Sequence, residues 1–195
     1  ETMFGFFLGT SLGILLAIAI VHNRATAISV MPWIITSQTI PILALAPMIV
    51  VALGSAGFSG LLPIAIISMY LSFFPVVVGM VKGLKSPERL ELDQMKTWSA
   101  SGSQVLVKLR LPKSMPYFFT SLKLGMAAAL VGAIVGELPS GGGGGLGFRM
   151  LSGSTFGNTL HIWSGLFSAA VLAASLIIFI GVIQKIILKK MALEL

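Results

Sequence analysis

Residues 93–112 read DQMKTWSASGSQVLVKLRLP. This is the longest stretch of the chain that a hydrocarbon interior would reject. It carries Asp93, Lys96, Lys108 and Arg110, with Ser99, Ser101, Ser103 and Gln104 between them, and apolar runs flank it on both sides. Buried polar groups without partners are costly, so the stretch has to face water or a protein surface. It reads as a water-facing connector between membrane spans, placed to meet a soluble partner.

The composition around it agrees. The chain of 195 residues is 56% hydrophobic and 10% charged, with a mean hydropathy of +1.00. A soluble domain carries about 25% charged residues. Several runs approach the roughly 20 apolar residues that cross a bilayer as a helix. The runs are continuous and do not alternate, which argues against a membrane β-barrel. The net charge of +7 does not point to nucleic acid, because the basic residues bracket apolar segments and build no solvated face. There is no cysteine, so neither a disulfide nor a thiol site is expected. No metal site is expected either. The sequence opens at Glu1, already at the edge of an apolar run, with no basic region and cleavage site before it. The expectation is that one span precedes the sequence.

On the N-terminal side of the connector lie three apolar spans. The first covers residues 3–21, with Gly5, Gly9 and Gly13 four apart, a spacing that puts small residues on one helix face for close packing. His22, Asn23 and Arg24 end it, His22 as an interfacial residue. Residues 25–36, with Pro32 and Trp33, read as a short interfacial helix. The second span, 37–54, contains Pro41 and Pro47, which remove backbone donors and kink or interrupt it. Such breaks are tolerated where protein or a water-filled cavity re-satisfies the backbone. Gln38 and Thr39 stand just before Pro41 and mark a candidate pathway wall. Residues 54–60 form an uncharged turn, and the third span is 61–81, with Pro63, Tyr70, Ser72 and Pro75. Ser86-Pro87-Glu88 reads as a helix start with proline at the first helical position.

Within and beyond the connector, a second short helix is expected over 101–109, closed by Pro112 and Pro116. The fourth span, 117–136, is rich in Gly and Ala and ends at Glu137. Residues 140–147 form a glycine-rich loop. It is no phosphate loop, since no Lys-Ser or Lys-Thr follows and no strand precedes. Residues 148–160 read as a short amphipathic helix and 162–183 as the fifth span, with Lys185, Lys189 and Lys190 behind it. Cytoplasmic loops are enriched in Lys and Arg. With the connector inside, Arg24 and the C-terminal lysines also fall inside, Arg149 falls outside, and Lys123 snorkels from the inner end of the fourth span. The chain then begins outside and ends in the cytoplasm.

The connector also carries a motif. Permease subunits of binding-protein-dependent ABC importers have a cytoplasmic loop reading E-A-A, three residues, G, nine residues, I, one residue, L-P. The same spacing here gives Asp93-Gln94-Met95, Ser99, Leu109 and Leu111-Pro112. Asp stands for Glu, Gln-Met for Ala-Ala and Ser for Gly, and Ser enters left-handed backbone less freely than Gly. Ser37-Gln38-Thr39-Ile40-Pro41, Leu43-Ala44-Leu45-Ala46-Pro47, Phe73-Phe74-Pro75, Gly83-Leu84, Pro116-Tyr117, Gly136-Glu137 and Gly145-Leu146-Gly147 resemble the nitrate, sulfonate, taurine and pyrimidine-precursor branch of that family. The resemblance covers nearly the whole chain.

It implies an all-α type I importer domain over 1–195, with five spans, a coupling loop at about 82–115 and an external glycine-rich loop at about 138–161. It implies a multi-pass protein of the bacterial inner membrane, not an enzyme itself. A separate ATPase subunit would bind the ATP and Mg; this chain has no G-x-x-x-x-G-K-[ST] and would hold no cofactor. The further partners implied are a second permease subunit, most simply in a homodimer, and an external substrate-binding protein. The coupling residues would be Asp93, Gln94, Met95, Trp98, Ser99, Ala100, Ser101, Gly102, Ser103, Gln104, Leu109 and Pro112. Trp98 would be the anchor and residues 99–104 a polar rim. Gln38, Thr39, Tyr70, Phe74 and Glu137 would be candidates for the translocation path. The solute would be small and polar: a pyrimidine or thiamine precursor, a riboflavin-like compound, nitrate, a sulfonate or taurine. A secondary carrier would need coupling-ion residues at mid-membrane, and the spans contain no convincing set. A membrane scaffold without transport is disfavoured by the motif spacing.

Overall fold

The computed structural model describes residues 1–140 and 144–191. The described residues are helical throughout, connected by short turns. In chain order they form α1 (Thr2–His22), α2 (Arg24–Ser37), α3 (Ile42–Ser55), α4 (Leu61–Leu84), α5 (Arg89–Thr97), α6 (Gly102–Val105), a π-helical turn (Leu106–Arg110), α7 (Leu111–Ser140), α8 (Leu146–Thr155) and α9 (Thr159–Lys190). Four helical stretches are long and apolar enough to cross a membrane: α1, α4, the stretch Gly102–Pro139, and α9.

α4 is the spine. Ile64, Ile67, Val76, Val77 and Leu84 are fully buried on it, and so are Ser68 and Ser72. Lipid tails are as apolar as leucine, so helices associate through close packing. Glycine opposite serine makes that approach. A Cβ at Gly9 of α1 would collide with Ser72, and one at Gly132 of α7 with Ser68. The roles then reverse: Gly79 and Gly83 of α4 meet Ser121 and Ser114 of α7. Gly5, Gly9 and Gly13 meet residues progressively further along α4, so α1 and α4 run parallel. Gly136, Gly132 and Gly125 meet α4 in the opposite order, so α4 and α7 are antiparallel. The expected glycine face of the first span is therefore occupied by α4.

Parallel α1 and α4 require the chain to return across the bundle between them. The second span, expected over 37–54 with a kink or an interruption at its prolines, is interrupted, and its first arm begins earlier, at Arg24. The return is made by two 14-residue helices, α2 and α3, bent by 97° at a short break. Each is about 21 Å long at 1.5 Å per residue, too short to cross alone. The break follows from Pro41, which has no N–H to donate to the carbonyl of Ser37. Tyr70 of α4 supplies the missing donor, its hydroxyl bonding to that oxygen. The helix expected over 25–36 is α2, with Trp33 exposed.

Three boundaries differ from expectation. Pro87 stands outside α5, whose cap is Glu88; the Glu88 N–H donates to the Glu91 carboxylate at 2.9 Å. Pro112 and Pro116 do not close the connector, because the helix continues through both into α7. The π turn before them, with Leu111 N–H bonded to the Leu106 carbonyl, widens the coil just where Pro112 would crowd a regular α turn. The 140–147 loop is shorter than expected, since α7 extends to Ser140 and α8 begins at Leu146; the glycines at 141–143 lie outside the described residues.

Candidate functional site

The connector is built as a rigid projection. α5 ends in a left-handed turn at Ser99, the one described non-glycine residue with positive φ (52°). Ser99 N–H bonds to the Lys96 carbonyl at 2.8 Å and Ala100 N–H to the Met95 carbonyl at 3.0 Å. This pair is a Schellman closure, which favours glycine at the left-handed position. Ser99 stands where the family loop has Gly, and it adopts the conformation that glycine would adopt. Two residues later Ser101 caps α6: its N–H donates to Gln104 Oε1 at 2.8 Å, and the Gln104 N–H returns to Ser101 Oγ at 3.4 Å. A helix stop and a helix start thus abut, and residues 98–101 have little freedom.

The outer surface of this projection carries Trp98, 68% exposed, with Asp93, Gln94, Ser99, Ser101, Gly102, Ser103 and Gln104 also exposed. Asp93 pairs with Lys96 at 2.8 Å, an exposed pair that contributes little. Ala100, Leu109 and Pro112 are half-buried, and Met95, 9% exposed, faces the bundle. Residues that sequence reasoning passed over join the surface. Leu90 is 78% exposed and continues the face of Gln94 and Trp98 at four-residue spacing, and Val107 is exposed beside the π turn. The place of Leu90 at i−4 from Gln94 and i−8 from Trp98, off the face of Leu92 and Met95, was the available signal.

Two contacts bolt the projection to the spans. The Arg110 guanidinium donates to the carbonyl of Leu84, the last residue of α4, at 3.2 Å. A cation at a helix C-terminus meets both the free carbonyls and the dipole. Lys113 of α7 pairs with Glu91 of α5. That hydrogen bond, chiefly, holds the Glu91 carboxyl below its ordinary range, helped by the Glu88 N–H. Arg110 thus ties the π-helical turn to α4, and Lys113 ties α5 to α7.

The path candidates separate into two places. Tyr70 joins the α2–α3 break through Ser37, with Gln38 and Thr39 beside it; Thr39 Oγ1 donates back to the Thr36 carbonyl at 2.8 Å. Tyr70, Phe74, Val78 and Lys82 follow at four-residue spacing along α4 and so share a stripe. Phe74, Val78 and Lys82 face Tyr117, Thr120 and Leu124 of α7 across an open crevice of about 660 Å³. At its loop end Lys82 Nζ sits 5.9 Å from the Tyr117 ring centroid. Glu137 lies elsewhere. It is 8% exposed, and its carboxylate accepts the Gly147 N–H at 2.6 Å in the first turn of α8. A Cβ at Gly145 would run into that carboxylate, and one at Gly147 into the Ile134 carbonyl. Gly145-Leu146-Gly147 is thus the seat that lets α8 dock on Glu137.

Comparison with known proteins adds lineage to this geometry. The sequence model of a family described as binding-protein-dependent transport system inner membrane component matches residues 9–193. A probable ABC transporter permease protein of Haemophilus influenzae is 32% identical over 151 residues, covering 77% of this chain and 60% of the relative. The formylaminopyrimidine transport permease protein ThiX of Halalkalibacterium halodurans is 35% identical over 133 residues, 68% of this chain and 52% of the relative. The putative aliphatic sulfonates transport permease protein SsuC of Bacillus subtilis is 25% identical over 185 residues, 95% of this chain and 65% of the relative. The chain spans between about half and two-thirds of the length of these relatives.

Proposed function

This chain belongs to the family of binding-protein-dependent transport system inner membrane components, and from that premise we propose that it is the permease subunit of an ATP-driven importer. A second permease chain, a pair of separate ATPase subunits and an external binding protein complete the assembly. The observation that carries the reading is the Trp98–Gln104 surface, stiffened by the Ser99 and Ser101 caps and bolted to α4 and α7. An ATPase groove that grips Trp98 and Leu90 would move α5. Arg110 and Lys113 would pass the movement to the two most closely packed spans. Interfaces are driven by a few well-packed aromatic anchors inside a polar rim, the composition found here.

The solute path would run along the α4 stripe from Tyr70 to Lys82, closed by the second permease chain. With Tyr117 and Thr120 of α7 opposite, the stripe offers aromatic faces, hydroxyls and one cation, which suits a small planar or anionic solute. Relatives named for a formylaminopyrimidine and for aliphatic sulfonates fall in those two classes.

The test is association. Trp98→Ala should weaken binding of the cognate ATPase by about 2 kcal/mol, roughly 30-fold. Ser101→Glu should abolish it by placing an unpaired charge in the interface. Phe156→Ala, at an exposed turn beyond α8, should leave it unchanged. Normal ATPase association and solute uptake in both loop variants would defeat the reading.

A further inference from the structure

The permease reading leaves one cluster of charge unused. Lys123 of α7 and Lys185 and Lys189 of α9 line a single open crevice of about 620 Å³ between the two helices, with Gln184, Ile178 and Val182. Among the described residues the ion pairs are Lys96–Asp93 and Lys113–Glu91, so none of these three lysines has an acidic partner. Gln184 is 9% exposed and makes no hydrogen bond to a described residue, although it lines the same crevice. Unpaired cations are rare in membrane-spanning helices and mark functional sites. Three of them around one groove concentrate positive charge that an anion between them would complement.

The arrangement is graded. Gly181 lies beside the end of the Lys123 side chain. Gly181, Lys185 and Lys189 are four apart and share one stripe of α9. Lys185 and Lys189 therefore stand about 6 and 12 Å further toward the connector end of the bundle. Toward the membrane centre the lining turns apolar, with Ile178 and Val182. The crevice is cationic toward the C-terminal end of α9, apolar toward its middle, and open along its side. A free anion has no use for the apolar half, and a neutral lipid has none for the lysines.

We infer that this α7–α9 crevice binds an anionic phospholipid, its phosphate among Lys123, Lys185 and Lys189, the Gln184 amide donating to it, and an acyl chain along Ile178 and Val182. Basic pockets between spans commonly hold acidic headgroups in this way. α9 touches the rest of the bundle through α7 and α8, so a lipid wedged here would fasten its free end. The inference stands on charge and shape, independently of what the protein transports.

The experiment is native mass spectrometry of the intact protein, extracted in non-ionic detergent with whatever chains accompany it. Phosphatidylglycerol, phosphatidylcholine or inorganic phosphate would be titrated in. The wild type should retain phosphatidylglycerol at least tenfold more tightly than phosphatidylcholine. Lys123→Gln/Lys185→Gln/Lys189→Gln should remove that preference, Arg at the same positions should keep it, and Lys190→Gln, outside the crevice, should change it less than twofold. Should the triple variant lose its folded mass distribution, the exposed Lys189→Gln alone should still weaken retention about threefold. Equal retention by variant and wild type, or equal retention of the two lipids, overturns the proposal. Displacement by inorganic phosphate at matched concentration reassigns the site to a free anion and overturns it too. A change in the number of protein chains instead of lipids makes the crevice a protein interface, with the same consequence.

Discussion

α9 is the most apolar span and the least buried; α4 is less apolar and sits at the centre. The richest windows have mean hydropathies of 2.7 and 2.3, yet 11% of the α9 window is buried against 44% of that of α4. The order is reversed because a bilayer accepts Phe167, Val171, Ile178 and Phe179 of α9 as readily as another helix would. What draws helices together in lipid is the chance of close approach. α4 offers it through Ser68, Ser72, Gly79 and Gly83, residues that lower its hydropathy. What distinguishes α4 is that its small residues each meet a partner on α1 or α7, not that it has more of them than α9.

The sharpest way to break this comparison is to add one methyl group to each region. At Gly9→Ala the new Cβ meets Ser72 and the Met69 backbone, whereas at Gly181→Ala it meets nothing closer than the flexible end of Lys123 at 3.7 Å. The first should cost about 2–3 kcal/mol, as overpacking does, and the second less than about 0.5 kcal/mol. Thermal unfolding in detergent reads the difference, and equal losses would refute the spine assignment.

A smaller effect is expected where the periphery is tied on. α9 packs on α8, and α8 docks through Glu137. Glu137→Gln weakens a charge-assisted bond and should cost about 1–2 kcal/mol. Amide exchange should rise across α8 and the first turns of α9 while α1 and α4 keep their protection. Protection lost uniformly would show that α8 is not a separate attachment. The smallest effect concerns the connector. Ser99→Gly relieves the left-handed backbone at φ 52° and should gain about 0.5–1 kcal/mol of local stability. Slower amide exchange in α5, with no change in the spans, is the expected reading. Faster exchange would mean that the Ser99 side chain holds the turn.

Much of this was readable in advance. The polar stretch at 93–112, the spans at α1, α4, α7 and α9 and the interruption at Pro41 each follow from local chemistry: charge, run length, or a missing N–H. The glycine spacing of α1 pointed to a close neighbour, though not to which helix. Sequence reasoning was weaker where the answer depended on a second segment. It ended the connector at Pro112 and Pro116, because a proline is locally a helix breaker; the π turn ahead of them absorbs the clash. It left Leu90 and Val107 out, because which apolar residues of the connector face outward is not fixed until the helix faces are known. Glu137 was singled out from its place at a span end, but its bond to Gly147 at the start of α8 required the packed structure.

The chain by itself determined that it is a helical membrane protein with a polar connector, since those properties depend on how each residue partitions between water and lipid. Tertiary structure decided the rest. Glycine meets serine across α4, α1 runs parallel to it, and the two short helices between them together make one return crossing. Tyr70 supplies the hydrogen bond that Pro41 withholds, and three lysines from distant positions share one crevice. Partitioning belongs to single residues and is additive along a sequence. Register, donor for acceptor and charge beside charge belong to pairs, and the pairs exist only once the helices have packed.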